Sequence, residues 1–358
     1  MSSGHTQYVK VIKTDQPHIL QSYAQIQEDE SAKDEGKDEA SKGESKGETD
    51  AKEDAKEKAK AQAKLDYINN FNFSRQSNLE VQGMADGGEV LFRYTNPAQG
   101  IDQNFGVSIK KYIGHIKKDP PVKKMFGGEP TEEEKHDQAV GEGPYIFFPE
   151  WREPLPQDYS MLNEDVIYQQ GLNVEQWSMI YNAPNNEQAI IKVLAGPALG
   201  DIIEFSVLLN SVPIDDMKSK DITVNWRMYS DFSAGKTFYT DSNGLQMNER
   251  KVQNLDRPEN TVPANYYPVT GAIAMRDHRP NSGLQVTILN DRPQGGSADL
   301  TLENTIELMQ HRRVLDVDNK GVGEALNETD IHDDKGIQVN AKYYMHIFDR
   351  SKGESLQR

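Results

Sequence analysis

From Val90 onward, apolar residues keep returning at every second position in short runs. Val90, Phe92 and Tyr94 alternate with Leu91 and Arg93, and Phe105, Val107 and Ile109 follow the same rule. Ile203, Phe205, Val207 and Leu209 alternate with Glu204, Ser206 and Leu208; Ile222, Val224, Trp226 and Met228 alternate with Thr223, Asn225, Arg227 and Tyr229. Leu284, Val286 and Ile288 oppose Gln285 and Thr287, and Tyr343, Met345 and Ile347 oppose Tyr344 and His346. Successive side chains of a strand point to opposite faces, so this period predicts strands with one buried face. Turn sequences separate them: Ser242-Asn243-Gly244, Gln294-Gly295-Gly296-Ser297, Asn319-Lys320-Gly321 and Asp334-Lys335-Gly336. No helical period longer than about ten residues stands out beyond one charged tract. The expected fold is all-β, an antiparallel β-sandwich.

The start of the chain reads differently. Residues 1–27 form a leader with a few apolar positions (Val9, Val11, Ile12, Ile19, Leu20, Tyr23) and no clear period, either a strand or two or disordered. Residues 28–64 hold 13 acidic and 9 basic residues and no Val, Ile, Leu, Met or aromatic residue. Such a tract buries nothing, so nothing offsets the ~1–2 kcal/mol per residue that ordering costs. It reads as a disordered charged linker, with a transiently helical stretch over 51–64. Residues 65–348 then carry the β-sandwich, and 349–358 are a tail.

Charge narrows the function classes. Forty Lys and Arg against 57 Asp and Glu give a net charge of −17 over 358 residues. That balance disfavours nucleic acid and anionic membranes as partners. Cysteine is absent, which removes disulfides, thiolate metal sites and thiol nucleophiles. No apolar run of about 18 residues predicts a membrane span. Met1-Ser2-Ser3-Gly4-His5 has no basic-then-apolar signal segment, so by itself the sequence suggests a cytoplasmic or undefined location.

Searches for chemistry return little. The eight histidines show no metal-site spacing, no G-x-S-x-G elbow occurs, and Gly295-Gly296-Ser297 lacks the Lys of a phosphate loop. Asp215-Asp216, Asp241 and Asp291 are carboxylates in strand-and-turn contexts, but a glycosidase pair about 5 Å apart is a spatial property. Residue chemistry alone stops at a β-sandwich that binds or supports.

Longer motifs go further. Phe238-Tyr239-Thr240-Asp241-Ser242-Asn243-Gly244 closely resembles a signature of the C-terminal β-domain of glycoside hydrolase family 38, the class II α-mannosidases, especially the lysosomal type. Asn265-Tyr266-Tyr267-Pro268-Val269 resembles the family's N-Y-Y-P-V segment, and LQVTILNDRPQGGS from Leu284 to Ser297 resembles its strand followed by D-R-x-Q-G-G-S. ELMQHRR from Glu307 to Arg313, Gly321-Val322-Gly323-Glu324 and Leu326-Asn327-Glu328-Thr329 continue the match in the family's order. Upstream, Gly143-Pro144-Tyr145-Ile146-Phe147 resembles G-A-Y-[IL]-F with Pro144 in place of Ala, and Pro213-Ile214-Asp215-Asp216 resembles P-[IV]-x-D. The likeness is dense from Phe238 to Thr329, patchier from Val90 to Asp231, and absent before that.

The resemblance implies a galactose-mutarotase-like supersandwich. It also implies that zinc, its His and Asp ligands and the Asp nucleophile belong to an α/β barrel, whose H-T-D-P-G-W motif does not occur here. No cofactor is therefore expected in this chain, and no catalytic residue or metal ligand. The expected function is the β-sandwich part of a lysosomal-type α-mannosidase, inactive without a separate catalytic α/β half; the alternative is a stand-alone carbohydrate-binding module. Mannose-containing glycan is the implied ligand and a lysosomal or secretory route the implied location. Tyr145 is the implied sugar contact, since a phenol stacks on an apolar ring face and bonds a hydroxyl. Arg312 and Arg313 are candidates for the pocket edge. Tyr239, Asp241, Asn243, Gly244, Asp291, Arg292, Gly295 and Gly296 are structural motif residues, the glycines serving positive φ and close backbone approach. Asn327 is an N-glycosylation acceptor if the chain is secreted, and Trp151 is a second candidate glycan aromatic.

Overall fold

The structure, a computed structural model, describes residues 5–10, 77–85, 88–115, 142–150, 155–156, 160–161, 165–170, 173–182, 188–229, 232–255, 261–300, 302–317, 323–331 and 334–352. The charged tract 28–64, most of the leader, Trp151 and Asn319-Lys320-Gly321 lie outside the described residues.

The described strands are β1 (His5–Lys10), β2 (Leu79–Ala85), β3 (Glu89–Asn96), β4 (Ile101–Ile113), β5 (Leu155–Pro156), β6 (Ser160–Met161), β7 (Asp165–Gln170), β8 (Glu175–Asn182), β9 (Gln188–Ala195) and β10 (Ile202–Leu209). They continue as β11 (Lys220–Met228), β12 (Thr237–Ser242), β13 (Gln246–Lys251), β14 (Tyr267–Val269), β15 (Ala272–Arg276), β16 (Leu284–Asn290), β17 (Gln294–Ala298), β18 (Thr305–Arg313) and β19 (Val339–Asp349). A four-residue helix, Thr261–Ala264, precedes β14. One sheet runs β1-β7-β8-β9-β10-β19-β16-β15-β12-β13, with β6 on β8. The other runs β14-β17-β18-β11-β4-β3-β2, with β5 on β4. Their pairings are antiparallel, so the expected all-β sandwich is the fold.

The apolar alternation supplies the core between the sheets. Phe205 of the first sheet meets Phe105 (6.4 Å between ring centroids) and Trp226 (5.8 Å) of the second. Tyr343 meets Trp226 at 4.9 Å. All four rings are buried. Truncating one such aromatic costs about 3–5 kcal/mol, because lost transfer energy adds to an unfilled cavity.

The outward face of the second sheet departs from the sequence expectation. Ser108, Asn225, Glu307 and Ser297 stand opposite one another across β4, β11, β18 and β17, with side chains pointing away from the inter-sheet core. Period two marks them as solvated, yet all four are buried. Ser108 Oγ, Asn225 Oδ1 and Ser297 Oγ have no hydrogen-bond partner. The sheet is thus buried on both faces at its centre, and polar on the outer one.

Two local readings are corrected. Gln294 to Ser297 form the strand β17, not a turn. Gly295 and Gly296 do not adopt positive φ. Gly296 is needed because a Cβ there would lie 2.7 Å from Leu308 Cδ2 and 2.8 Å from Val269 Cγ2. Close approach between neighbouring strands, not backbone freedom, is the reason for this glycine.

Candidate functional site

Where β4 ends, β11 begins and β18 ends, register places Tyr112, Asp221 and Arg312 side by side on the outward face. Arg312 reaches that face through a β-bulge. Thr223 pairs with Met309 and Ile222 with His311, so Gln310 is an extra residue on β18. One inserted residue reverses which face each later side chain takes. Without it, the alternation set by Ile306 and Leu308 would carry Arg312 into the core. Gln310 turns inward instead, donating to the carbonyls of Val207 (2.7 Å) and Val339 (3.2 Å) and accepting from the Tyr343 hydroxyl (3.1 Å). Arg313 falls on the core side as well, buried, and donates to the Val212 carbonyl.

Arg312 organises the site. Its Nε donates to Asp221 Oδ1 at 2.6 Å and its Nη2 to Glu142 Oε1 at 3.3 Å. Nη1 donates to the Pro144 carbonyl (3.1 Å) and Nη2 to the Ile146 carbonyl (3.2 Å). A planar fork of donors suits this set of four acceptors, as a lysine would not. Burial opposes the guanidinium's charge, but Asp221 and Glu142 outweigh it and raise its pKa. Asp221 and Glu142 are 0% and 1% exposed. Burial, then the charge of Asp221, pushes the Glu142 carboxyl well above the usual carboxylate range. Glu142 Oε2 and Asp221 Oδ2 are buried without a hydrogen-bond partner.

The carbonyls that Arg312 holds bracket Tyr145. Gly143 N–H donates to the Ile146 carbonyl (3.1 Å) and closes a tight loop. Its stems are laced to the end of β4: Glu142 N–H to the His115 carbonyl (3.1 Å), His115 N–H to that of Phe148 (2.8 Å), and Glu150 N–H to that of Ile113 (2.7 Å). At the tip, Tyr145 is 66% exposed. Phe147 turns the opposite way and packs edge-on against Tyr112 (5.4 Å) and Tyr266 (4.7 Å). Below them lies Glu307, whose carboxylate accepts from the Tyr112 hydroxyl at 3.0 and 3.1 Å. Burial pushes Glu307 up to about 7, and the Tyr112 and Tyr266 hydroxyls oppose that rise.

Of the residues singled out from sequence, the structure thus brings Tyr145 and Arg312 together. Arg312 lies under the loop with four N–H groups committed, and Arg313 lies on the other face of the sheet. The remaining motif residues tie strands and turns. Asp241 accepts from the backbone N–H groups of Gly244 (2.9 Å), Thr270 (2.8 Å), Gly271 (2.9 Å) and Ala272 (3.1 Å). Burial opposes its charge, but these four donors hold its pKa low. Asn243 and Gly244 both take positive φ, 52° and 70°, in the turn leading into β13. Arg276 lies over the Tyr239 ring, 4.0 Å from its centroid. Asp291 is clamped by Arg292 (2.9 Å) and by the Lys342 N–H (3.0 Å), which lowers its pKa. Asn327 is exposed.

Sequence reasoning missed Glu142, Asp221, Tyr112 and the role of Glu307. Tyr112, Asp221 and Glu307 stand at strand positions that alternation assigns to solvent and Glu142 lies in a loop, so no signal in the sequence marks them. Among the described residues, no cluster of three His, Asp or Glu side chains is placed to hold a metal ion. No helix among them is long and apolar enough to cross a membrane.

Comparison with known proteins agrees with the motifs. Residues 190–320 match the Glycosyl hydrolases family 38 C-terminal domain. The chain is similar to a probable alpha-mannosidase of Arabidopsis thaliana, with 27% identity across 71% of this chain and 24% of that protein. It is 31% identical to the lysosomal alpha-mannosidase of Homo sapiens, over 54% of this chain and 18% of that one. An alpha-mannosidase of Canavalia ensiformis is 32% identical over 44% of this chain and 16% of its own length. The chain thus spans a quarter or less of these relatives. A heparan sulfate lyase from Pedobacter heparinus aligns with 78% of this chain and 37% of its own, at 9% identity and a TM-score of 0.30, too low a likeness to carry weight. Over residues 190–320 the chain thus matches the C-terminal domain of glycosyl hydrolases family 38, and the relatives it resembles are α-mannosidases.

Proposed function

We propose that the chain is the β-sandwich part of an α-mannosidase, that Tyr145 forms the edge of a mannose pocket, and that a separate α/β half supplies the catalytic groups. One observation carries this reading: an exposed phenol at the tip of a loop whose two flanking carbonyls are held by a single partly buried arginine. An aromatic fixed in this way is ready to stack on a sugar without first being ordered. In this reading Arg312 supports Tyr145 from below, zinc belongs to the catalytic half, and hydrolysis of terminal α-mannose is that half's chemistry. The acid surroundings of a lysosomal or secretory route fit the likeness to lysosomal α-mannosidases.

The test is hydrolysis of para-nitrophenyl α-mannoside with zinc, by the chain alone and after mixing with a separately expressed catalytic half of a relative. The expected result is turnover in the mixture above either part alone, reduced by Tyr145→Phe. A mixture no faster than the catalytic half alone overturns the proposal. Tyr145 exposed without any second half also suits a stand-alone carbohydrate-binding module, and glycan-array binding by the isolated chain, lost in Tyr145→Ala, would establish that reading instead.

A further inference from the structure

Two carboxylates share one guanidinium at the base of the Tyr145 loop. Glu142 Oε1 and Asp221 Oδ1 take hydrogen bonds from Arg312, while Glu142 Oε2 and Asp221 Oδ2 are buried with no donor. With both acids ionised, the trio carries a net charge of −1, with both carboxylates out of water. Isolated buried charge is costly, and two neighbouring carboxylates relieve it by sharing a proton. Glu142 Oε2 occupies the space that the missing side chain of Gly114 leaves open: a Cβ there would lie 1.4 Å from it.

We propose that Glu142 holds a proton beside the Asp221 carboxylate and that both, through Arg312, act as positioning residues for Tyr145, so that the loop is fixed at acid pH and loosens when that proton leaves to water. The consequence for sugar contact rests on the reading of Tyr145 above; the latch itself does not.

The surroundings leave the pair few other ways to neutralise its charge. From β18, Arg312 is bonded to both acids, and His311 feels Asp221. Arg313 is directed to the Val212 carbonyl and Lys220, on β11, to that of Pro213. From the end of β4, His115 offers its backbone carbonyl to Glu142 and packs its ring on Phe148, while Tyr112 serves Glu307. From the segment after the short helix, Tyr266 feels both Glu307 and Asp221. Among the described residues Arg312 is the one cation hydrogen-bonded to the pair. Losing the proton leaves a surplus negative charge, which favours water entering the loop base and breaking the contacts that hold the Pro144 and Ile146 carbonyls.

The experiment is amide hydrogen exchange of the full chain, followed over residues 142–150 by mass spectrometry at about pH 5 and about pH 8, with rates corrected for intrinsic exchange. Wild-type protection is expected to fall roughly tenfold or more between the two. In Glu142→Gln, an uncharged amide replaces the protonated acid, and protection should be alike at both pH values. Asp221→Asn serves as the second variant if Glu142→Gln does not fold. Glu307→Gln should keep the wild-type fall. Equal wild-type protection at both pH values overturns the proposal without any variant; so does a fall that survives Glu142→Gln or Asp221→Asn, or one abolished by Glu307→Gln. No sugar enters the measurement, so it can fail while the mannoside reading stands, and the reverse.

Discussion

The ring of Phe147 meets that of Tyr266 edge-on, with centroids 4.7 Å apart. Two residues earlier in the chain, Tyr145 is turned to solvent. The loop is therefore gripped twice, by apolar contact through Phe147 and by charge-assisted hydrogen bonds through Arg312.

Phe147→Ala should remove the apolar grip alone. The ring is only partly buried, so the expected cost is roughly 2 kcal/mol, below the ~3–5 kcal/mol of a fully buried aromatic. Urea unfolding would read it, and exchange over residues 142–150 should rise more than in the rest of the sheet.

Glu307→Gln should make stability less dependent on pH. Glu307 has a folded pKa raised to about 7, so the folded state binds its proton more tightly than the unfolded chain does. Its contribution is fully present below the unfolded value near 4.5 and is lost as pH rises toward 7, roughly 3 kcal/mol in all. The variant should lose less stability than wild type between about pH 5 and about pH 8 in chemical denaturation. An unchanged slope would show that Glu307 ionises as easily folded as unfolded.

Asp241→Asn should act in the opposite pH range. Asp241 has a lowered folded pKa, so its stabilisation is present above the unfolded value of 3.8 and is lost as pH falls through the folded one. Asn keeps an oxygen for the Thr270, Gly271 and Ala272 N–H groups but sets an amide against that of Gly244. About 2–3 kcal/mol of stability should go at neutral pH, and less at the acid end, in thermal melts across that range.

Gly296→Ala and Gly295→Ala should differ although the two are neighbours. The new methyl at Gly296 meets Leu308 and Val269 below 3 Å, whereas at Gly295 the nearest atom is Tyr266 Cδ1 at 3.4 Å. Overpacking of the first kind costs about 1–3 kcal/mol, and the second should be close to neutral. Midpoints of denaturation for the two variants would separate them.

The alternation in β10, β11 and β19 was enough to place Phe205, Trp226 and Tyr343 in one core, because period two is a local property of the strand. The motif from Phe238 to Gly244 was equally legible, since positive φ at Asn243 and Gly244 is a local demand of their turn. Whether the other face of a strand meets water is not local. Asn225 and Glu307 occupy positions that alternation assigns to solvent, yet both are buried on the outward face of the second sheet. Gln294 to Ser297 carries glycines that read as a turn, and only pairing with β14 and β18 makes it a strand. Arg312 is the sharpest case. Its sequence places it in phase with the inward pattern of Ile306 and Leu308, four residues beyond the latter, and the extra residue Gln310, defined only by pairing with β11, turns it outward to Asp221 and Glu142. The sequence by itself determined that the alternating runs, such as those of β10, β11 and β19, form strands and which of their faces make the core. The tertiary structure decided what covers the remaining faces and where the bulge falls, because both depend on contacts between residues far apart in the chain.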